Sequence, residues 1–271
     1  MIEWKNLFRG MMMGISDLVP GISGGTIAVV LGIYDRFISS ISKFFSREWK
    51  AQLGFLVPLG TGMVGAIFLL AHLITWLLST YAQPTYFFFL GLIAGILPYL
   101  LRKVDYKKTF TPIHYLVLVI AAISLGSTIF IGEGNNVSFE VVSFMDAIYL
   151  FVSAFFGSMA MLLPGISGSF VLLTFGTYEF VMEAIKSMNI AMILLVGSGI
   201  ALGFIVSSKV IGMLLKKLPI MTYAFIIGIV IGSMVVIFPG IEQSIGLLLV
   251  SIFTFVVGFY IAVYLGRLEH K

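Results

Sequence analysis

Two short runs of proline, glycine and serine interrupt an otherwise apolar chain. They are Ser16-Asp17-Leu18-Val19-Pro20-Gly21-Ile22-Ser23-Gly24-Gly25-Thr26 and Met161-Leu162-Leu163-Pro164-Gly165-Ile166-Ser167-Gly168-Ser169. Neither can continue an α-helix, because proline lacks the amide donor and glycine loses the most freedom on ordering. The chemistry open to such a run is anion binding. Where a helix restarts, its first amides have no intrahelical acceptor, and its end carries roughly half a positive charge. Ser23, Gly24, Gly25 and Thr26 stand at that place in the first run, and Ser167, Gly168 and Ser169 in the second. A purely structural reading competes, in which hydroxyls and glycines only satisfy a tight turn inside the membrane. It accounts for one run better than for two matched ones.

The match runs on. Leu31-Gly32-Ile33-Tyr34-Asp35 is answered at the same offset by Phe175-Gly176-Thr177-Tyr178-Glu179. Asp17 has no acidic counterpart, since Met161 stands in its place; it reads as an amide cap or a proton carrier. Glu179 is the second candidate for proton coupling. Its match Asp35 lies near the end of a broken segment, where a solvated or Arg36-paired role is expected. His72 and Lys209 coincide at a slightly shorter offset, and each falls in the first crossing after a break. Either they snorkel to an interface or they supply basic contacts to a phosphate.

The elements that must position these groups follow from composition. Of 271 residues, 60% are hydrophobic and only 10% charged, and the mean hydropathy is +1.12. Soluble domains carry about 25% charge, so the chain is integral to a bilayer. With no cysteine there is no disulfide framework, thiolate metal site or cysteine nucleophile. Glu133, Glu140 and Asp146 lack metal-ligand spacing, and no nucleotide fingerprint occurs, so no catalytic residue, metal or cofactor is expected. The net charge of +4 does not signal nucleic acid, because the basic residues are loop residues. Residues 1–9 are short, charged and amphipathic, which argues against a cleaved leader.

The predicted fold is an all-α integral membrane protein built as an inverted repeat. Each half is a re-entrant helical hairpin, at about 8–45 and 146–186, followed by three transmembrane helices. The spans fall at about 53–78, 86–101, 113–131, 190–215, 220–238 and 244–265, with a polar loop over 132–143. As units, 1–111 form the first repeat, 112–145 its third span and an extracellular loop, and 146–271 the second repeat. If each hairpin leaves on the side it entered, Lys5, Arg9, Lys43, Arg47, Lys50, Arg102, Lys103, Lys107, Lys108, Lys216, Lys217, Arg267 and Lys271 share one face. By the positive-inside rule that face, with both termini, is cytoplasmic. Glycine pairs also repeat, Gly60 and Gly62 with Gly197 and Gly199, and Gly91 and Gly95 with Gly228 and Gly232. They read as helix-packing seams.

The doubled Pro-Gly-Ile-Ser-Gly runs, with the Gly-Ile-Tyr-Asp segment behind the first, resemble the bacterial polyprenyl-phosphate transporter family, PopT. The resemblance covers essentially the whole chain. It implies a translocase of the bacterial cytoplasmic membrane that returns undecaprenyl phosphate to the inner leaflet for cell-wall synthesis, with the lipid and the bilayer as its partners. Association into a homo-oligomer stays open. BacA-type undecaprenyl-diphosphate phosphatases are similar more distantly, but they set acidic residues with a histidine and an arginine around the turn. Here Thr26 is followed by Ile27 and Ala28, and neither hairpin holds a histidine. A membrane phosphatase and a carrier of a small soluble anion remain the rival readings.

Overall fold

Long apolar runs free of proline and glycine clusters become helices, because in hydrocarbon every backbone group must find its partner within the segment. The computed structural model describes residues 2–130, 143–242 and 244–268; Glu133 and Glu140 lie outside them. The first half comprises α1 (Lys5–Asp17), α2 (Gly24–Val30), α3 (Tyr34–Phe44), α4 (Trp49–Thr80), α5 (Ala82–Lys103), the single turn α6 (Tyr106–Thr109) and α7 (Pro112–Gly126), extended by a 3₁₀ turn at Ser127–Phe130. The second comprises α8 (Phe144–Leu162), α9 (Gly168–Thr174), α10 (Tyr178–Lys186), α11 (Ile190–Lys217), α12 (Pro219–Val236) and α13 (Ile245–Leu268).

Among the described residues seven helices are long and apolar enough to cross a membrane, one more than the six spans expected. The addition is α8. Its start is fixed by a reciprocal cap between Ser143 and Asp146, and it runs 19 residues to the second break, whereas α1 has only 13 before the first. At 1.5 Å per residue α8 is about 28 Å long, close to a bilayer's hydrocarbon thickness.

The packing partners repeat between the halves. Helix α1 lies along α4 as α8 lies along α11, and α5 lies along α13 as α12 lies along α7. The glycine seams explain each pair. A Cβ at Gly10 or Gly14 would overlap the backbone of Leu59 or Met63, and one at Gly62 the Leu7 carbonyl. In the partner pair Gly199 and Gly203 meet Phe151 and Phe155. Gly91 and Gly95 press on Phe255 and Phe259, as Gly228 and Gly232 press on Leu118 and Ala122. The matched Gly60 and Gly197 have open space instead.

Both broken segments double back. Arg36 of α3 meets Glu3 ahead of α1 at 3.5 Å. In the second segment the Tyr149 hydroxyl, near the start of α8, donates to the Phe175 carbonyl at 2.7 Å. The surroundings then differ. All seven residues of α2 are buried, against α1, α3, α5, α8 and α13, whereas only Gly168 of α9 is buried, beside α8 and α10.

Candidate functional site

The two breaks share one backbone geometry. Gly21 and Gly165 take φ of +82° and +87°, and Gly32 and Gly176 take +68° and +66°, values that side chains with a Cβ avoid. Ser23 and Ser167 are extended and open α2 and α9. The breaks also touch each other, and what joins them is hydrogen bonding. The Gly165 amide donates to Thr26 Oγ1 at 2.7 Å. Thr26 Oγ1 lies 3.1 Å from Ser23 Oγ, which donates to the Leu163 carbonyl at 3.4 Å. The Tyr34 hydroxyl donates to the Leu162 carbonyl at 3.0 Å.

A helix leaves its last carbonyls without intrahelical donors. Hydroxyls of the first half thus satisfy the end of α8 and the turn behind it. The same approach explains Gly25, because a Cβ there would lie 3.0 Å from the Met161 carbonyl oxygen and 3.5 Å from those of Leu162 and Leu163. Its match, Ser169, carries a side chain, which meets the Ser167 hydroxyl and lines a cavity. Both breaks rest against the end of α12, Gly165 on Ser233 and Ile229 in its second half and Gly21 on Ile237 just past its last residue.

Asp17 takes the position the sequence offered to an anion at the start of α2. Its Oδ1 accepts from the Gly24 amide at 2.6 Å. In the second copy Met161 packs against Gly168 in the equivalent place, and no side chain caps α9. The Ser167 and Ser169 hydroxyls lie 2.6 Å apart. Each restarted helix has only seven residues, so the full macrodipole is not developed, and attraction for an anion must come from individual amides and hydroxyls.

Two cavities meet at Asp17. One of about 350 Å³ is lined by Asp17, Ser23, Gly60, Ser167, Gly168 and Ser169 together with Met63 and Met161. The other, about 300 Å³, shares Asp17, Gly60, Met63 and Met161 and continues between Phe37, Ile41, Phe44 and Phe204, so its walls are almost wholly apolar. Gly24 and Gly25 line this second cavity, while Thr26 is fully buried behind them. The missing side chain at Gly60 is what leaves the shared space open.

The remaining sequence candidates lie elsewhere. Lys209 lines a separate cavity between α3 and α11. His72 is exposed on α4, and Glu179 is exposed in the first turn of α10. Asp35 does not pair with Arg36. Its carboxylate holds Lys103 at 2.8 Å and accepts from the Tyr223 hydroxyl at 2.6 Å, while Arg36 turns to Glu3 and the Phe55 ring. A helix places residues 35 and 36 about 100° apart, so one cannot easily serve the other's partner. Sequence reasoning missed Tyr34; its signal was the repeated tyrosine, Tyr34 and Tyr178, each opening the helix that follows the restarted one. Among the described residues no three of His, Asp and Glu gather as metal ligands.

A family model described as undecaprenyl phosphate translocase-like (VCA0040-like) matches residues 13–247. The chain is 43% identical over 274 residues to a polyprenyl-phosphate transporter of Staphylococcus aureus (strain NCTC 8325 / PS 47), covering 98% of this chain and 97% of that one. It is 34% identical over 244 residues to a polyprenyl-phosphate transporter of Vibrio cholerae serotype O1 (strain ATCC 39315 / El Tor Inaba N16961), covering 85% and 76% respectively. No solved structure matches. The family model and the Staphylococcus relative span the doubled break, and this multi-pass membrane chain belongs to the undecaprenyl phosphate translocase-like family.

Proposed function

We propose that the chain carries a polyprenyl phosphate, undecaprenyl phosphate in a bacterial plasma membrane, between leaflets, without hydrolysing it. The observation that carries this reading is a cavity at two touching breaks, with serine hydroxyls set in a mostly apolar wall, that opens into one lined by no hydroxyl. A phosphate needs hydrogen-bond donors to leave water, and an isoprenoid chain needs none. The headgroup would sit against Ser167, Gly168 and Ser169, and the first isoprene units would follow Phe37, Ile41 and Phe204; Ser23, whose hydroxyl is spent on the Leu163 carbonyl, only lines the wall. Gly24, Gly25 and Thr26 build the wall by holding α2 against α8, so their part in binding is indirect.

The doubled-back segments, their shared turn geometry and the repeated packing partners support an inverted repeat of two re-entrant hairpins. The basic loops support a cytoplasmic placement of both termini. Exchange between leaflets would follow from one repeat moving against the other. Asp17 carries the opposite of what a phosphate wants. Two like charges in one cavity repel, so a proton on either group favours binding. Moving that proton inward with the lipid also removes part of the cost of about 2.3 kcal/mol per charge per 100 mV that an inside-negative potential imposes on an anion.

The test is leaflet exchange of a fluorescent polyprenyl phosphate in proteoliposomes, with released phosphate measured in parallel. Exchange that depends on the protein, releases no phosphate and falls at least tenfold in Ser167→Ala/Ser169→Ala supports the carrier. Stoichiometric phosphate release would replace it with the phosphatase reading. Saturable exchange of soluble phosphate in place of the lipid would replace it with the small-anion carrier.

A further inference from the structure

Away from the breaks, α3 and α11 enclose a cavity of about 480 Å³ whose charge is strongly one-sided. Lys43, Lys209, Lys216 and Lys217 line it, with the hydroxyls of Ser39 and Ser42 on the α3 side. The one carboxylate in the wall, Asp35, is held by Lys103 and Tyr223, and Lys43 is paired with Glu48 at 3.0 Å. Among the described residues Lys209, Lys216 and Lys217 have no ion-pair partner. Lys216 and Lys217 have an ordinary explanation, since cations suit the last turn of a helix and the cytoplasmic headgroup region. Lys209 does not share it. It stands eight residues before the end of α11, about 12 Å up the helix at 1.5 Å per residue, just after Ser207 and Ser208 in a run with no other charge before Lys216. Gly212, which faces open space apart from one Ile38 methyl at 3.9 Å, clears the room between Lys209 and Lys216 on the same helix face.

Lys209, Lys216 and Lys217 are exposed at the mouth of this space, and an anion seated between them would offset their mutual repulsion. Tetrahedral oxygens with two negative charges suit amines and hydroxyls converging from two helices. The opposite face of α3, Phe37, Ile41 and Phe44, lines the apolar cavity that leads to the breaks, so this helix separates a basic chamber from a hydrocarbon-lined one. We propose that the cavity between α3 and α11 is a second phosphomonoester site, centred on Lys209 and Lys216, at which a polyprenyl phosphate headgroup is held on the cytoplasmic side before or after its passage through the breaks. The choice of ligand rests on the carrier reading above; the presence of an anion site rests on the lysines alone.

The experiment uses the full chain in phosphatidylcholine nanodiscs and calorimetric titration with farnesyl phosphate and with inorganic phosphate. Lys209→Gln/Lys216→Gln is expected to weaken farnesyl phosphate binding at least tenfold at this site, and to do so equally in a Ser167→Ala/Ser169→Ala background. Lys107→Gln/Lys108→Gln, an equal loss of charge in the α6 loop, should change it less than twofold. Tighter binding of farnesyl phosphate than of inorganic phosphate assigns the site to the lipid, and equal binding assigns it to the phosphate group alone; both uphold it. Unchanged binding in the Lys209/Lys216 variant, an equal loss in the Lys107/Lys108 control, or full competition by phosphatidylglycerol overturns it. If only the Ser167/Ser169 variant behaves as wild type, the reading of the breaks fails and this site stands.

Discussion

Thr26→Val tests the junction of the two halves with a single group removed at constant shape. Thr26 is fully buried, and its hydroxyl sits in a directed relay: the Gly165 amide donates to Thr26, Thr26 to Ser23, and Ser23 to the Leu163 carbonyl. Valine deletes the second member and strands the Gly165 amide, which φ of +87° and Ser233 at 2.9 Å from a would-be Cβ hold in place. A buried unsatisfied donor costs about 1–3 kcal/mol in water-soluble proteins. Between membrane helices measured hydrogen bonds average nearer 0.6 kcal/mol and reach about 1.7, because the unfolded chain in the bilayer also finds partners. Here the turn cannot regroup, so the upper part of that range, about 1–2 kcal/mol, is expected. Detergent-solubilised Thr26→Val should therefore unfold at a clearly lower temperature than wild type, and Thr26→Ser, which keeps the hydroxyl, should recover most of the difference. Equal unfolding temperatures for Thr26→Val and wild type would refute the relay as a link between the halves.

The other predictions concern space, charge and the repeated tyrosine. Gly62→Ala should abolish accumulation of folded protein because its Cβ overlaps the Leu7 carbonyl, while Gly60→Ala, with nothing within 4 Å, should fold normally and lower lipid exchange by narrowing the shared cavity; size-exclusion profiles and exchange rates separate the two effects. Asp17→Asn keeps an acceptor for the Gly24 amide and removes the charge that opposes the phosphate. Its exchange rate should depend less on pH than that of wild type, whose rate should fall as pH rises. Tyr34→Phe loses a bond to Leu162 at 3.0 Å and should lower thermal stability by about 1 kcal/mol, whereas Tyr178→Phe loses no hydrogen bond in this arrangement and should leave stability unchanged.

Much of this was legible in residue types. The breaks, their agreement in position and the glycine seams are covalent facts of proline and glycine, and backbone geometry had to follow. What did not follow was which polar groups remain available. Asp17, seven residues before Gly24, reaches its amide only because the chain reverses between them, and nothing in spacing alone says that Thr26 and Ser23 are spent on Gly165 and Leu163. Lys209 and His72 matched in sequence, yet a helix nearly 30 residues long or longer presents many faces. Which of them looks inward depends on the seams of α1 with α4 and α8 with α11, and these turn Lys209 toward α3.

Matched sequences in unmatched surroundings say something about motion. Tyr34 bonds to α8 and Thr26 ties α2 to the second turn, so α2 is enclosed on all sides. Tyr178 and α9 have the same local geometry but are flanked only by α8 and α10. Had the halves been equivalent in energy, the two environments would exchange freely. They are not equivalent, because the residue matching Thr26 is Phe170 and the one matching Asp17 is Met161. An exchanged arrangement would set Tyr178 against Leu18 but would find no hydroxyl at Phe170 for the Gly21 amide. It would therefore lie above the present one by about one buried hydrogen bond, roughly 1–2 kcal/mol, and be populated at about 3–15%. On the carrier reading proposed above, a gap of that size would keep the protein resting in one state without trapping it there. On the same reading, a phosphate that displaced Asp17 from Gly24, or a proton that neutralised it, would act on a difference it is large enough to reverse.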